Sequence, residues 1–412
     1  MSTDMKVLII GSGLGGLSLA QSLRRSGVPF EIYERDSTPF DRSQGYRLHL
    51  DGDAINTVGE VLTPDLQALF KETSQWTEPY TSIMMPKSLR VVKRLLTKDD
   101  LGQGVWPNTG DGTLIHANVD RATLRRILLS GLEDSIHFGK KFERYKILAE
   151  DKVIAHFVDG TSATGSCLVG ADGVNSHVRV QRAPNLATMD AGITAIYGRL
   201  PAKAVQELGP KEALEDIFLI ASDERKVFLG LGSVIFPTSP HEAANELGLD
   251  IELHPRESYV VCIVGGRHEF FPEAHRKATS AELQTIAASL IEGWSDNAAP
   301  LVRTGDSESF FAVHMRTSVP NTLDRPANVT LLGDAVHSMT PSLGRGANLA
   351  MRHGALLGRH LKRVAGGQGS LANELAAYEA SMLEYGFKVV REAAEIGRQR
   401  MDQIPLDNVV DA

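Results

Sequence analysis

The chain has 412 residues, of which 42% are hydrophobic and 23% charged, and this composition is typical of globular proteins and excludes a disordered chain. Its 51 acidic and 43 basic residues give a formal net charge of -8, which offers no general attraction to phosphate backbones or anionic membranes. We therefore predict no nucleic-acid partner.

Two cysteines, Cys167 and Cys262, stand apart in separate apolar runs. This pattern predicts neither a metal site nor a disulfide framework and favours the reducing cytoplasm. Because no run reaches the roughly 18 uninterrupted apolar residues that a membrane span needs, we also predict no stable membrane anchor.

In chain order, the first predicted unit is strand, glycine-rich turn, helix and strand. Residues 6–10 and 29–33 are apolar strands, and residues 17–26 have helical periodicity. The turn between them reads Gly11-Ser-Gly13-Leu14-Gly15-Gly16. This order predicts a βαβ unit.

The glycine turn has the spacing of a dinucleotide site. Gly11 permits a tight bend, Gly13 lets the backbone approach a pyrophosphate, and Gly16 lets helix and strand pack closely. Glu34 ends the second strand 18 residues after Gly16, where a carboxylate hydrogen-bonds ribose hydroxyls and favours FAD or NAD over NADP. A purely structural glycine turn is the alternative.

The middle of the chain changes character. Residues 120–129 are predicted as a helix, and residues 145–157 and 161–168 as a hairpin leading into a further strand that ends at Gly170-Ala-Asp172-Gly173. Residues 184–311 are rich in β-strand patterns and contain one helix that Thr279 and Glu282 would cap. We interpret this region as an inserted second domain.

Towards the end, the apolar strand at residues 329–332 runs into Gly333-Asp334, and residues 347–364 and 371–401 are predicted helices. The fold class is thus α/β: a Rossmann-like dinucleotide-binding domain with an inserted β-sheet-rich domain and a long C-terminal helix. The predicted boundaries are 1–78, 102–183 and 312–366 for the first domain, 79–101 and 184–311 for the second, and 367–412 for the helix.

A second motif begins at Asp334. An aspartate after a buried strand, followed by a Pro/Gly-rich turn into a helix, is well placed to bind a polyol, while the helix N-terminus faces a polarised carbonyl. The alternative is that Asp334 simply caps a helix.

Three elements, in order and spacing, make the chain resemble the class A flavin-dependent monooxygenases, the para-hydroxybenzoate hydroxylase-like family that includes kynurenine, salicylate and tetracycline hydroxylases. They are the glycine turn with Glu34-Arg35, the segment from Gly170 to Arg179, and the segment from Gly333 to Pro341. The resemblance covers about two-thirds of the chain and is only architectural over residues 184–311.

The resemblance implies that the Rossmann-like domain is the FAD-binding domain and that the inserted β-sheet-rich domain is the substrate domain. It also implies cofactor roles for particular residues. Glu34 would hold the adenosine ribose and Arg35 would lie by the adenine, whereas Arg121 and Asp334 would bind the phosphate and ribityl region. Asp172 is linked to both FAD and NAD(P)H binding. The residues that would run along the flavin ring are Gly344, Gly346, Ala347 and Asn348.

Several of these assignments have structural alternatives. Arg121 could form a surface ion pair, and Asp172 could serve only a turn. Arg47 and His49 alternate on one strand and are possible substrate or flavin contacts, although one face of a strand is often solvated. His337 is interpreted as structural, and His353 stands where relatives usually have an aspartate.

The implied activity is that of an FAD-dependent monooxygenase. NADPH or NADH would reduce the flavin, O2 would give a flavin C4a-(hydro)peroxide, and the protein would position a small aromatic or polyketide-like substrate for hydroxylation or epoxidation. No catalytic side chain is predicted. The alternatives are a flavin halogenase or reductase on the same fold, or a non-catalytic FAD-binding redox sensor, and we expect a monomer or a homodimer.

Overall fold

The computed structural model describes residues 5–40, 46–97, 115–148, 152–323 and 328–406. The strands in these residues are β1 (Val7–Ile10), β2 (Phe30–Tyr33), β3 (Arg47–Leu50), β4 (Gln75–Trp76), β5 (Glu78–Met84), β6 (Val91–Leu96), β7 (Ala117–Asp120), β8 (Ile136–His137), β9 (Phe142–Ile147), β10 (Val153–Phe157), β11 (Ser162–Gly165), β12 (Cys167–Gly170), β13 (Thr188–Pro201), β14 (Asp216–Ser222), β15 (Phe228–Val234), β16 (Tyr259–Arg267), β17 (Phe311–Ser318) and β18 (Val329–Leu331).

The helices of the same residues are α1 (Leu14–Ser26), α2 (Gly52–Val61), α3 (Pro64–Glu72), α4 (Arg121–Leu129), α5 (His177–Arg182), α6 (Ala202–Leu208), α7 (Pro240–Glu246), α8 (Ser280–Leu290), α9 (Ala298–Arg303), α10 (Asp334–His337), α11 (Gly346–Ala365) and α12 (Leu371–Met401). None of these described helices combines the length and the apolar character needed to cross a membrane.

A five-stranded parallel sheet carries the predicted dinucleotide unit. Its order is β18-β12-β1-β2-β8, and every residue of β1, β12 and β18 is buried, as expected for a parallel sheet covered on both faces. Because parallel strands end at a common edge, the chain leaves Ile10, Tyr33, Gly170 and Leu331 on the same side. All three predicted motifs therefore begin at this edge.

The first helix begins earlier than the periodicity predicts. α1 starts at Leu14 with Gly13 as its N-cap, whereas apolar spacing indicated a start at residue 17. Gly15 and Gly16 thus lie in the first helical turn, where a glycine carries no apolar signal. The predicted helices at 347–364 and 371–401 correspond to α11 and α12.

A seven-stranded mixed sheet, in the order β17-β13-β16-β15-β14-β5-β6, forms the second layer of the molecule. One of its faces packs on α8 and α9 through a core that includes Ile196, Val264 and Leu301. The predicted cap of α8 is present as a capping box between Thr279 and Glu282. Since β17 continues this sheet to Ser318, the sheet extends past residue 311; the predicted domain boundaries stay predictions.

The long C-terminal helix predicted from the sequence is α12, and it packs against both sheets. α12 packs against α11 and also contacts β16 and β17. At its end, Met401 packs with Ala191 and Ile193 of the large sheet, and Ile404 N donates a hydrogen bond to Ala191 O at 3.0 Å. The helix therefore fixes the large sheet relative to the edge of the parallel sheet at which the three predicted motifs begin.

α1 and α11 approach each other closely because small residues line their contact. A Cβ atom placed on Gly354 would lie 2.5 Å from Gly15 O and 3.0 Å from Leu19 N, and one on Gly15 would lie 3.0 Å from Ala350 O. Such backbone contacts leave no room for a side chain. This contact holds the glycine turn, at the start of α1, beside the start of α11.

We expect Gly354→Ala to destabilise the protein by about 1–3 kcal/mol, since the new methyl must push two backbones apart. This cost opposes the roughly 0.5–1 kcal/mol that alanine gains over glycine in a helix interior. Gly59→Ala in α2 is the matched control, because a Cβ there meets nothing within 4 Å. Chemical denaturation measures both variants, and equal stability of the two would contradict the close-packing argument.

Candidate cofactor and substrate site

The glycine turn is open towards the edge where the motifs meet. Gly11 has φ 107° and lies against the chain at Ala171-Asp172, with 3.0 Å between its ideal Cβ position and Asp172 Cα. Around Gly13 a Cβ would meet nothing within 4 Å. No side chain caps α1, and its first turn has no acidic residue. Its first N–H groups thus suit an anion such as a pyrophosphate.

Glu34 lies beside this turn and is buried. Its Oε2 accepts hydrogen bonds from Ser12 N at 2.9 Å and Ser12 Oγ at 2.8 Å, and its Oε1 accepts one from Asp36 N at 3.1 Å. Burial alone would raise the pKa of Glu34, but these hydrogen bonds outweigh it and hold the pKa below its usual value. Arg35, the next residue, is exposed.

Arg125, which sequence reasoning missed, completes the support of the turn. Its Nη2 donates to Ser12 Oγ at 2.6 Å and its Nε to Ser12 O at 3.1 Å. The sequence showed only an arginine on an amphipathic helix, because its target lies 113 residues away.

Asp334 and Arg121 come together at the other end of the edge. The Asp334 side chain is accessible to solvent, yet surrounding protein raises its pKa through desolvation, and the nearby Arg121 charge opposes that rise. Arg121 N donates to Tyr46 O at 2.7 Å, which fixes the start of α4 against β3. An accessible carboxylate enclosed by protein is characteristic of a groove.

The segment before α11 forms the wall beside Asp334. Gly344 adopts φ 68°, and Gly346 and Ala347 are half-buried at a helix start without a side-chain cap. Asn348 is buried and joins the segment to β3: its Nδ2 donates to His49 O and to Gly344 O, both at 3.0 Å, and its Oδ1 accepts from Asp51 N at 3.2 Å.

Asp172 is occupied within its own turn. Its Oδ1 accepts from Ser176 Oγ, and its Oδ2 accepts from His177 N at 2.8 Å and Val178 N at 3.3 Å. Desolvation raises the pKa of this carboxyl group. The Asp172 side chain therefore fixes the turn that precedes α5. Its contact with FAD or NAD(P)H stays a prediction.

Arg47 projects from β3 towards the large sheet, whereas His49 contacts His116, which precedes the neighbouring strand β7. The Arg47 Nη2 donates to Asn118 Oδ1 at 2.5 Å and to Ile217 O, and its guanidinium carbon lies 5.3 Å from the centre of the Phe218 ring. His49 Nε2 lies 2.9 Å from His116 Nδ1. Burial, together with neighbouring positive groups, lowers the pKa of His49 well below its usual value, so that His49 is neutral.

The sheet face across from β3 is aromatic and incompletely covered. Its half-buried side chains are those of Tyr197, Phe218, Ile220, Phe236, Ile263 and Phe311. Burial raises the pKa of the Tyr197 hydroxyl to about 12. A half-buried apolar face beside a polar pair has the composition of a small-molecule site.

His337 and His353 form a buried pair behind the Asp334 segment. Their Nε2 and Nδ1 atoms are 3.0 Å apart, and a Cβ on Gly386 of α12 would lie 3.1 Å from His337 Cδ2. Burial lowers the pKa of His337 to about 4 and that of His353 well below its usual value. The pair is a neutral packing element, in accord with the structural interpretation of His337.

The structure thus brings the predicted glycine turn, Glu34, Arg121, Asp334 and residues 344–348 to one edge. Arg35 is exposed, and the Asp172 carboxylate is hydrogen-bonded to backbone N–H groups at the start of α5. No sequence pattern pointed to His116 and Asn118, because β7 pairs with β3 only in three dimensions.

Two family sequence profiles match the chain. The sequence profile of the family described as FAD binding domain matches residues 136–393, more than half of the chain, and that of an NAD(P)-binding Rossmann-like domain matches residues 9–73. A dual O-methyltransferase/FAD-dependent monooxygenase of Phaeosphaeria nodorum is 30% identical over 93% of this chain and 44% of its own length. The chain spans less than half the length of the first such relatives.

Other relatives match over nearly their whole length. An FAD-dependent urate hydroxylase of Klebsiella pneumoniae is 26% identical over 97% of this chain and 90% of its own. The crystal structure of a protein from Photorhabdus luminescens, named as an FAD-containing monooxygenase, has a TM-score of 0.80 and 25% identity and covers 97% of this chain and 99% of its own.

The His337–His353 pair makes stability depend on pH. His337 titrates near 6.5 when unfolded and at about 4 when folded, so the folded state binds its proton less readily. The free energy of unfolding therefore includes the full contribution of neutral His337 above about pH 6.5. This contribution is lost as the pH falls towards 4, a difference of roughly 3 kcal/mol at most. We expect His337→Gln to be less stable at pH 7.5 but to lose less stability over this range.

Denaturant unfolding at a series of pH values measures this difference. His241→Gln is the control, because His241 is exposed on α7, and it should follow the wild-type profile. A His337→Gln profile parallel to that of the wild type would refute the assignment.

Proposed function

The chain belongs to the family of FAD-binding domains, and from that membership we propose that it is an FAD-dependent monooxygenase that uses NAD(P)H and O2 to hydroxylate a small aromatic molecule. The observation that carries the proposal is the meeting, at one edge of the parallel sheet, of an uncapped helix N-terminus, an enclosed carboxylate and an aromatic sheet face. NAD(P)H, O2, a proton and the substrate would yield NAD(P)+, water and the hydroxylated product.

The residues present fit FAD at its pyrophosphate end. The open space around Gly13 and the uncapped start of α1 offer N–H donors to phosphate oxygens. Glu34, which is ionised and fixed by Ser12, offers carboxylate oxygens to ribose hydroxyls. We assign the adenosine half of FAD to Gly11, Gly13, Leu14, Gly15, Gly16 and Glu34, with Arg35 near the adenine.

The flavin half would lie along the Asp334 segment. Asp334 and Arg121 offer an acceptor and a donor to the ribityl and phosphate groups, and the uncapped start of α11 supports negative charge that develops on the ring. When bound, the flavin supplies oxygen-activating chemistry that no side chain provides. The oxygenating flavin species expected from the family resemblance stays a prediction.

The protein's own part in the reaction is to position the substrate and exclude water. The half-buried aromatic face packs on a planar ring and keeps the site apolar. The urate hydroxylase relative, whose named substrate is a ring bearing oxygen atoms, supports a cyclic substrate of this kind. More specifically, we propose a polyketide-like aromatic substrate, with epoxidation as the alternative reaction. We also propose a cytoplasmic location and a monomeric or homodimeric state.

Asp334→Ala should weaken FAD binding by about 10- to 100-fold, because it removes charge-assisted hydrogen bonds to the cofactor. Titration of the apoprotein with FAD, followed by flavin fluorescence, measures the dissociation constant. Asp159→Ala, on an exposed turn with its carboxylate on Lys140, is the control and should match the wild type. Unchanged FAD affinity in Asp334→Ala would contradict the assigned role.

The FAD-loaded protein should oxidise NADPH or NADH faster when a suitable phenol is present. The product should carry one oxygen atom from isotopically labelled O2, measured by mass spectrometry. A purified protein that is colourless and takes up no FAD would refute the function. A flavin that neither NADPH nor NADH reduces would favour the redox-sensor alternative, and chloride-dependent product masses would favour the halogenase.

A further inference from the structure

Three histidines on and beside the large sheet form one hydrogen-bonded chain. His268 follows β16, His314 lies on β17, and His275 precedes α8. His268 Nε2 lies 2.9 Å from Asp190 Oδ1, and its Nδ1 lies 2.7 Å from Thr194 Oγ1. Thr194 Oγ1 is 3.4 Å from His314 Nδ1, and His314 Nε2 is 3.3 Å from His275 Nε2. The chain thus runs from the carboxylate of β13 to the segment before α8.

The hydrogens in this chain are too few if all three histidines are neutral. Its far end is Pro272 O, 2.8 Å from His275 Nδ1, and both ends, a carboxylate and a carbonyl, only accept. Five contacts need one hydrogen each, whereas three neutral histidines and one threonine supply four. Without a further proton, two lone pairs would face each other. The chain therefore holds one added proton, and one histidine is cationic.

The Asp190 carboxylate balances this single charge. Burial would raise the pKa of Asp190, but the hydrogen bonds that it accepts from a backbone N–H and from His268 hold the pKa below its usual value. Desolvation lowers the pKa of His314, and the charges of His268, His275 and Arg276 lower it further, while Asp190 opposes this effect. These four groups are the charged neighbours that act on His314. A second proton on the chain therefore needs an additional negative charge.

The same residues line a cavity of about 490 Å³ between β17 and the start of α8. Its basic side chains are those of His275, Arg276 and His314, and none of the described residues that line it is acidic. A cationic wall beside an apolar one suits a small carboxylate with an apolar tail. The apolar wall is largely aliphatic, with Ala278, Leu283 and Ala312.

The cavity lies on the face of the large sheet that carries α8, not on the aromatic face. Ala312 and His314 of β17 pair with Ile196 and Thr194 of β13, and Ile196 belongs to the core beneath α8 and α9. Because neighbouring residues of a strand point to opposite faces, Tyr197 lies on the aromatic side. A ligand of the cavity is therefore distinct from the substrate proposed above.

Phe311 connects the two faces, since β17 is the edge strand of the sheet. It lines the cavity, and its ring stacks on that of Tyr197 with 5.4 Å between the ring centroids. A molecule in the cavity would touch the rim of the substrate face without occupying it. This is the position of an effector rather than of a substrate.

We propose that the cavity binds a small aliphatic carboxylate, which accepts hydrogen bonds from His275 Nε2 and His314 Nε2 beside Arg276, and that binding takes up one proton. The contact between the two nitrogens is replaced by two contacts to the ligand, so the chain needs six hydrogens in place of five. The additional proton comes from the solvent, and His275 then carries a hydrogen on both nitrogens. The inference goes beyond the proposed function, because it assigns a second ligand and a second site.

Isothermal titration calorimetry of the FAD-loaded protein tests this proposal with hexanoate and with hexanamide, its uncharged analogue. Hexanoate should bind at least about 10-fold more tightly than hexanamide, because it adds charge-assisted hydrogen bonds. A simple carboxylate is ionised throughout, so the affinity should rise about 10-fold or more from about pH 8 to about pH 6. Titrations in buffers of different ionisation enthalpy should show the uptake of about one proton per ligand.

His275→Gln should lose both the proton uptake and the pH dependence, and should bind hexanoate about 10-fold or more weakly. Arg276→Gln, at an exposed position, should weaken binding about 3- to 10-fold but keep the proton uptake. The two variants thus separate the histidine chain from simple charge. His241→Gln, exposed on α7, is the matched control and should behave like the wild type.

Hexanoate that does not bind, that binds no better than hexanamide, or that binds without proton uptake would overturn the inference. So would an affinity that neither His275→Gln nor Arg276→Gln changes, because the ligand would then lie elsewhere. If His275→Gln does not fold, the proton uptake of the wild type and the affinity of Arg276→Gln decide. The proposed function fails on a different result, which is a protein that takes up no FAD.

Discussion

The close contact of α1 with α11 is the constraint on which the site depends. Gly15 and Gly354 let the two helix backbones approach without intervening side chains, and the two helix starts, separated by more than 300 residues, thereby lie side by side. Each start is free of a side-chain cap. A long FAD molecule can lie along both because the packing sets their separation.

The common direction of the strands in the parallel sheet determines where these two segments leave it. Strands that run the same way release the chain at one edge, so the glycine turn and the Asp334 segment emerge together although they are distant in sequence. The C-terminal helix then fixes the large sheet against that edge through Met401 and Ile404. The aromatic face consequently stands across from the cofactor segment, with β3 between them.

Polar groups at the site differ in how far the chain itself meets their charge and hydrogen-bonding capacity. Glu34, Asp172 and Asn348 are held by several hydrogen bonds within the chain, so they also rigidify the turns they occupy. Arg47 is held by neutral acceptors and keeps an unmatched charge. The buried His337–His353 pair carries no charge, which suits a packing role next to the cofactor segment.

The sequence by itself determined the α/β class and the positions of the three motifs, because glycine spacing, strand periodicity and carboxylates at strand ends are local properties that short-range stereochemistry dictates. The FAD family followed from the resemblance of these motifs, in their order and spacing, to those of the class A flavin-dependent monooxygenases. The sequence also predicted α12 and the cap of α8. It placed the start of α1 three residues late, since glycines in a first turn carry no hydrophobic period.

Only the tertiary structure decided which polar residues face each other. Arg125 reaches Ser12, His116 reaches His49, and Arg47 meets Asn118, each through strand or helix pairings between distant segments. The charge balance of Arg47 is likewise a property of its surroundings. Counter-charges, burial and tautomers depend on what the folded chain brings near, and no local pattern encodes them.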